Sequence, residues 1–205
     1  MTHSSTEGRL LESIRLINGQ LPLLDYHQER VDRSRKSLFP KSTGLKLLKI
    51  LEGHDLPDTG LYKVRIEYGL KCQGVEIQPY TAKPVRSLKL VDASSLRYAK
   101  KYADRTAINA LYQLKGPCDD ILMVQHGFLT DASYANIALF DGSSWYTPAS
   151  PMLRGTRRAS LIQAGTITPT VVRQKDLGHF SEIRLFNSMI PWSEAPQIAI
   201  TDIMD

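Results

Sequence analysis

The sequence predicts an α+β protein in which strand pairs outnumber helices. Three observations carry this. The dipeptides Asn18-Gly19, His126-Gly127 and Asp141-Gly142 each sit between apolar runs that read as strand pairs, and Asn-Gly supplies the positive φ values that a tight hairpin turn demands. In LYKVRIEYGL, Val64, Ile66 and Tyr68 alternate with Lys63, Arg65 and Glu67, which is the period of a half-buried strand. Helical stretches are interleaved with these hairpins rather than alternating with single strands, so a doubly wound parallel sheet fits less well.

Taken in order, LLESIRLI, the Asn18-Gly19 turn and QLPLL read as a first hairpin. Asp25 is the N-cap candidate of a helix over DYHQERVDRSRKSLF, whose spacing puts His27, Arg30 and Ser34 on one face. A second helix is expected from Ser42, with Leu45, Leu48 and Leu51 as its buried stripe, and Pro57 and Gly60 close that region. The strand LYKVRIEYGL then pairs with GVEIQPY. TAKPVRSLKLVDASS has no helical period and reads as a linker, which divides the chain into an N-terminal α+β domain over 1–83, a linker over 84–95 and a C-terminal domain over 96–205. Beyond it come a helix capped by Asp104, hairpins ILMV/FLTD and NIALF/WYTP, a helix opening at Gly155-Thr156, and strands near TVV, EIRLF and QIAIT.

The 205 residues are 42% hydrophobic and 23% charged, an ordinary globular composition. Lys and Arg number 26 against 21 Asp and Glu, a net charge of +5. The excess is spread along the chain apart from one cluster, Arg30, Arg33, Arg35, Lys36 and Lys41, with no basic tail or aromatic-interleaved stretch. This suits an enzyme for anionic small molecules and gives no footprint of nucleic-acid binding. No apolar run reaches the about 20 residues that a membrane span takes, and MTHSSTEGR lacks the plan of a secretory signal, so a cytoplasmic location is expected. Cys72 and Cys118 are far apart and belong to no metal-binding pattern, which leaves two idle thiols and no metal site.

Four features have chemical potential. Lys101, in YAKKYADR, precedes a helix, although a lysine there is more often a solvated charge. Gly155-Thr156 opens a helix, where backbone N–H groups and a hydroxyl suit a phosphate. Asn187-Ser188 follows an apolar strand, which turn chemistry or ligand contact would each explain. Arg30 is either a phosphate fork or one more solvated charge.

Their order along the chain resembles the class IV aminotransferase family, the pyridoxal-phosphate enzymes that include branched-chain and D-amino acid aminotransferases and aminodeoxychorismate lyase. LLESIRLINGQLPLLDYHQERV is similar to that family's Phe-Glu-x-x-Arg strand, its turn and its H-x-x-R-L helix. KYADR is similar to the lyase-type Lys-x-x-Asn-Arg, and DDILMVQHGFLTDASYANIALF to the family's D-E…T-E-x-x-x-x-N stretch. WYTP, LRGTRR and IRLFNSMIP complete the series, which covers about residues 10 to 200.

The resemblance implies a two-domain D-amino acid aminotransferase-like fold, with a sandwich-type N-terminal domain and a barrel-like C-terminal one. It implies pyridoxal 5'-phosphate as cofactor, in Schiff-base linkage to Lys101; Lys100 competes, but the spacing to Asp104-Arg105 favours Lys101. Arg30, Gly155, Thr156 and Ser188 would hold the phosphate. Asp131 stands where the family has a glutamate facing the pyridine nitrogen, one methylene shorter, and caps a turn in the alternative reading. Ser13 occupies the position where the lyases carry threonine and would help protonate the enamine or the departing group. The implied activity is aminodeoxychorismate lyase, a step of folate biosynthesis, with an amino-acid transaminase or a catalytically weakened homologue as alternatives. A homodimer is implied too. Arg86 and Arg97 are weak candidates for the substrate carboxylate. The chain begins almost directly at LLESIR, without the strands that precede it in the family, which bears on the substrate side of the pocket.

Overall fold

The computed structural model describes residues 8–205. Most of MTHSSTEGR, on which the expectation about a secretory signal rests, lies outside the described residues. The chain divides into two units, Met1–Ala82 with Lys100–Asp104, and Lys83–Ala99 with Arg105–Asp205.

In the first unit, β1 (Leu10–Ile17), β2 (Leu61–Tyr68) and β3 (Cys72–Pro79) form an antiparallel sheet in that order. The register sets Leu10 opposite Tyr68, Glu12 opposite Ile66 and Ile14 opposite Val64, and residues opposed in this way share a face. Onto that face pack α1 (Leu24–Leu38), through Val31, and the short α2 (Leu47–Leu51), through Leu47 and Leu51. Each such aliphatic side chain contributes about 1.5–3 kcal/mol by leaving water. The alternation in β2 therefore fixes which side of the sheet becomes the core.

Three expectations fail locally. The Asn18-Gly19 turn forms, with φ of 46° and 74°, but QLPLL adds only an isolated bridge at Gln20, and β1 takes β2 as its partner. Asp25 is inside the first turn of α1 rather than capping it; a carboxylate there still complements the helix dipole. The second helix starts at Leu47, not Ser42, and Leu48 is 56% exposed. Five residues make little more than one turn, so only Leu47 and Leu51, four apart, can share the inward side.

In the second unit, β4 (Leu88–Asp92), β5 (Asp120–Gln125), β6 (Phe128–Ala132), β7 (Asn136–Phe140), β8 (Trp145–Pro148), β9 (Thr168–Thr170), β10 (Glu182–Phe186), β11 (Gln197–Ala199) and β12 (Ile203–Met204) build one sheet. Its path runs β11-β10-β7-β6-β5-β4-β12, with β8 on β7 and β9 on β8. The hairpin turn at His126-Gly127 has φ of 51° and 81°. Leu122, Leu129, Ile137, Leu139, Ile183 and Leu185 are the centre of its core. α3 (Thr106–Tyr112) has Arg105, not Asp104, at its N-cap position, and α4 (Thr156–Gln163) begins after Gly155 as expected.

The segment expected as a linker over 84–95 contains β4, which pairs in parallel with both β5 and β12. The mixed α/β architecture itself is as expected. Cys72 is half-buried, Cys118 is buried, and both are free. No helix among the described residues is long and apolar enough to cross a membrane. The basic cluster of α1 is not an exposed patch throughout: Arg35 is buried and donates to the carbonyl oxygens of Gly69 and Thr43.

Candidate functional site

Glu12 organises the polar groups of the first unit. It stands on the apolar side of β1 and is fully buried, where an unpaired carboxylate would cost several kcal/mol, on the order of a whole domain's net stability. His27 and Arg30 on α1, three apart and so on one side of the helix, meet it. Arg30 Nε donates to Glu12 Oε1 at 2.9 Å and Nη2 donates to Oε2. His27 Nδ1 lies 2.5 Å from Oε2, and the Tyr68 hydroxyl 3.5 Å from Oε1.

Burial alone would raise the Glu12 pKa, but the Arg30 charge and the His27 contact overcome it and hold the carboxyl at about 2. Burial pushes His27 down and outweighs the pull of Glu12, helped by the charges of Arg30 and Lys101. The imidazole is therefore neutral. An ionised carboxylate only accepts, so the His27 proton is on Nδ1, and Nε2 is buried without a hydrogen-bond partner.

Lys101 belongs to the same unit. Its carbonyl accepts from Leu11 N–H at 2.9 Å, Ala103 N–H donates to Arg9 O at 2.9 Å, and Tyr102 bridges Leu10. Tyr102 packs partly against the first core, which anchors the segment along the edge of β1. Lys101 is half-buried there and close enough for its charge to depress His27. Ser13 is half-buried on β1, two residues on from Leu11 and opposite Arg65.

The second unit gathers Asp131, Asn136, Gly155 and Thr156. β6 and β7 pair at Asp131 and Asn136, so their side chains are cross-strand neighbours. Asn136 Nδ2 donates to Asp131 Oδ1 at 2.5 Å and to Leu153 O at 2.8 Å, while Leu153 N–H donates to Asp131 Oδ2 at 2.9 Å. This closed set docks the loop that leads into α4. It also brings Gly155 so close to Asn136 that a Cβ would fall 2.0 Å from Oδ1. Burial raises the Asp131 pKa to about 6, against the hydrogen bonds from Leu153 and Asn136 and the Arg158 charge. Arg158 in turn donates to Thr147 Oγ1 at 3.2 Å and Pro148 O at 2.8 Å, tying α4 to β8.

Thr156, the first residue of α4, is buried and its Oγ1 has no hydrogen-bond partner among the described residues. Ser188 is buried after β10. The neighbouring Asn187 spends its side chain on the turn, accepting from Met189 and Ile190 N–H and donating to Tyr134 O. Among the described residues there is no cluster of metal-ligating side chains.

The family model for amino-transferase class IV matches residues 9–198. The chain belongs to the class IV aminotransferase family. This class IV chain is 33% identical over 183 residues, 88% of its length and 97% of the other's, to an uncharacterised Haemophilus influenzae protein. A Haemophilus somnus structure named "putative 4-amino-4-deoxychorismate lyase" is 32% identical, with a TM-score of 0.85 over 91% of this chain and 98% of that one. A Schizosaccharomyces pombe protein named "Putative aminodeoxychorismate lyase" is 26% identical over 200 residues, 89% of this chain and 86% of that protein. Class IV aminotransferases are pyridoxal-phosphate enzymes, and family membership makes this chain a pyridoxal-phosphate-dependent enzyme.

The residues present fit that cofactor. The unpartnered, buried Thr156 hydroxyl at a helix N-terminus is a donor set suited to a phosphate, and the absence of a side chain at Gly155 is enforced by Asn136. A buried carboxyl at Asp131 suits a pyridinium N–H, since a carboxylate that already takes hydrogen bonds from Asn136, Leu153 and Met152 still has a lone pair to offer. Ser13, Arg30 and Lys101 lie in the first unit; Asp131, Gly155, Thr156 and Ser188 lie in the second. Sequence reasoning assigned no role to Glu12, His27 or Asn136. The available signals were a carboxylate in phase with Leu10, Ile14 and Leu16, and a His and Arg three apart on the helix that follows.

Proposed function

We propose that the chain is an aminodeoxychorismate lyase, converting 4-amino-4-deoxychorismate to 4-aminobenzoate and pyruvate. The observation that carries this is the likeness, over nearly the whole of both chains, to the Haemophilus somnus protein of that name; a hydroxyl at Ser13 on β1 supports it. Pyridoxal phosphate, when bound, supplies an electron sink for charge developing at the substrate carbon that bears the amino group.

The chain's own residues do the rest. Lys101 would hold the cofactor covalently in the resting protein and, once the substrate amine has displaced it, its freed amine would take the proton from that carbon. By resemblance to the family, Arg30, Thr156, Ser188 and the N–H groups following Gly155 would hold the phosphate. Asp131, ionised above about 6, keeps a proton on the pyridine nitrogen. Ser13 Oγ–H gives its proton as the enolpyruvyl group departs and the ring becomes aromatic. We read the protein as a cytoplasmic homodimer acting on an anionic small molecule, without nucleic acid or membrane; light scattering on the purified protein tests the dimer.

The purified protein is expected to be yellow, its visible band bleached by borohydride and missing in Lys101→Ala. Incubated with aminodeoxychorismate it should release fluorescent 4-aminobenzoate. Product formed only from pairs of amino acid and 2-oxo acid would make it a transaminase, and a yellow protein inert in both assays a weakened homologue. Ser13→Ala should lower 4-aminobenzoate formation by about 10²-fold or more, the scale of one general acid, with the visible band intact.

A further inference from the structure

We propose that Glu12 is a positioning residue for the cofactor phosphate, acting through Arg30: it grips the Nε and Nη2 edge of the guanidinium and sets the direction in which the remaining donors point. This rests on the proposed role of Arg30 in phosphate binding. Both Glu12 oxygens take hydrogen bonds from Arg30, and one of them also meets His27 Nδ1.

The geometry is that of a guanidinium held in a fixed plane. An arginine side chain has several rotatable bonds, and leaving it mobile costs affinity each time a ligand must immobilise it. Two parallel bonds to one carboxylate remove that freedom in advance. Their price is partial neutralisation of the Arg30 charge, which simple attraction for a phosphate dianion would not favour. Orientation and charge thus predict opposite results when the carboxylate is replaced by an amide, and the proposal is the orientation outcome.

His27 completes the device. Held neutral with its proton on Nδ1, it donates to the same Glu12 oxygen that Arg30 Nη2 uses. The carboxylate is thereby held by two side chains from one face of α1, and the whole set is buried: Glu12 and His27 are 0% exposed and Arg30 is 5% exposed.

The test compares the cofactor-free full chain and its Glu12→Gln variant in binding pyridoxal phosphate and pyridoxal, which differ only in the phosphate. The expected result is a loss of about tenfold or more in affinity for pyridoxal phosphate, the scale of one charge-assisted hydrogen bond, with pyridoxal binding unchanged. In an Arg30→Ala background, Glu12→Gln should add no further loss. Equal losses for both ligands, or tighter pyridoxal phosphate binding by the variant, would overturn the proposal. A wild-type chain that binds pyridoxal no less tightly than pyridoxal phosphate refutes the phosphate role of Arg30 itself, a separate failure. Should Glu12→Gln not fold, nitrogen chemical shifts of His27 in the wild type decide: a proton on Nε2 with bare Nδ1 overturns the arrangement.

Discussion

Asp131 and Glu12 are both buried carboxyls, yet their surroundings push them in opposite directions. Asp131 rises from 3.8 to about 6 because burial outweighs its hydrogen bonds. The folded state then binds its proton more tightly than the unfolded state, so its contribution is fully present below 3.8 and is lost as pH rises through about 6. Glu12 falls from 4.5 to about 2; its contribution is present above 4.5 and lost as pH falls through about 2. Each shift corresponds to about 3 kcal/mol. In the cofactor-free protein, Asp131→Asn should lose less stability than wild type as pH rises from about 4 to 7, and urea titrations at several pH values measure it. Glu12→Gln should cost about 3 kcal/mol at neutral pH, where it breaks a buried pair, and progressively less below pH 4.5. Parallel curves for either variant and wild type would refute the corresponding environment.

At the scale of elements, α4 shows how a short helix is placed by what precedes it. Asn136 reaches from β7 to both Asp131 and the Leu153 carbonyl, and Gly155 fits beneath it only because it has no side chain. Its φ of −69° is open to any residue, so Gly155→Ala is a question of space. The variant should lose about 1–3 kcal/mol of stability and weaken phosphate binding, since Asn136 must leave its place; an unchanged melting temperature and affinity would show that the loop simply yields. α2 makes the complementary case. Leu47→Ala should cost about 2–5 kcal/mol, whereas Leu48→Lys should stay within about 0.5 kcal/mol, measured by urea unfolding. Local signals explain why the hairpin turns were legible: Asn18 and His126 adopt positive φ together with the glycines that follow them. Non-local pairing was not. β1 joins β2 rather than its sequence neighbour, and β4 is a strand only because β5 and β12 flank it. Parallel neighbours leave no turn beside a strand to betray it. For the site, ordered motifs pointed to Lys101, Arg30 and Thr156, but no spacing rule says that Glu12 folds onto Arg30, because that contact exists only once α1 lies on β1.

For the whole molecule, the decisive feature is that the chain returns to the first unit after entering the second. Lys100–Asp104 belongs with Met1–Ala82, while the residues on either side of it belong to the second unit. The lysine assigned to the chemistry is thus carried on a five-residue return whose anchors are the Leu10–Tyr102 bridge and the hydrogen bonds of Leu11 and Ala103. Removing one anchor should tell first on the unit that contains it. Ala103→Pro abolishes the N–H that Arg9 accepts at 2.9 Å and should cost about 1–3 kcal/mol. Both tryptophans, Trp145 and Trp192, lie in the second unit, so their fluorescence follows that unit, whereas far-UV circular dichroism follows the strands of both. The variant's dichroism midpoint in urea should move to lower denaturant by more than its fluorescence midpoint. It should also bind pyridoxal phosphate with a slower rise of the visible band, because the return that holds Lys101 against β1 is loosened. Equal shifts of the two midpoints, with the band forming at the wild-type rate, would mean that Tyr102 and Leu11 suffice to hold Lys101 without Ala103.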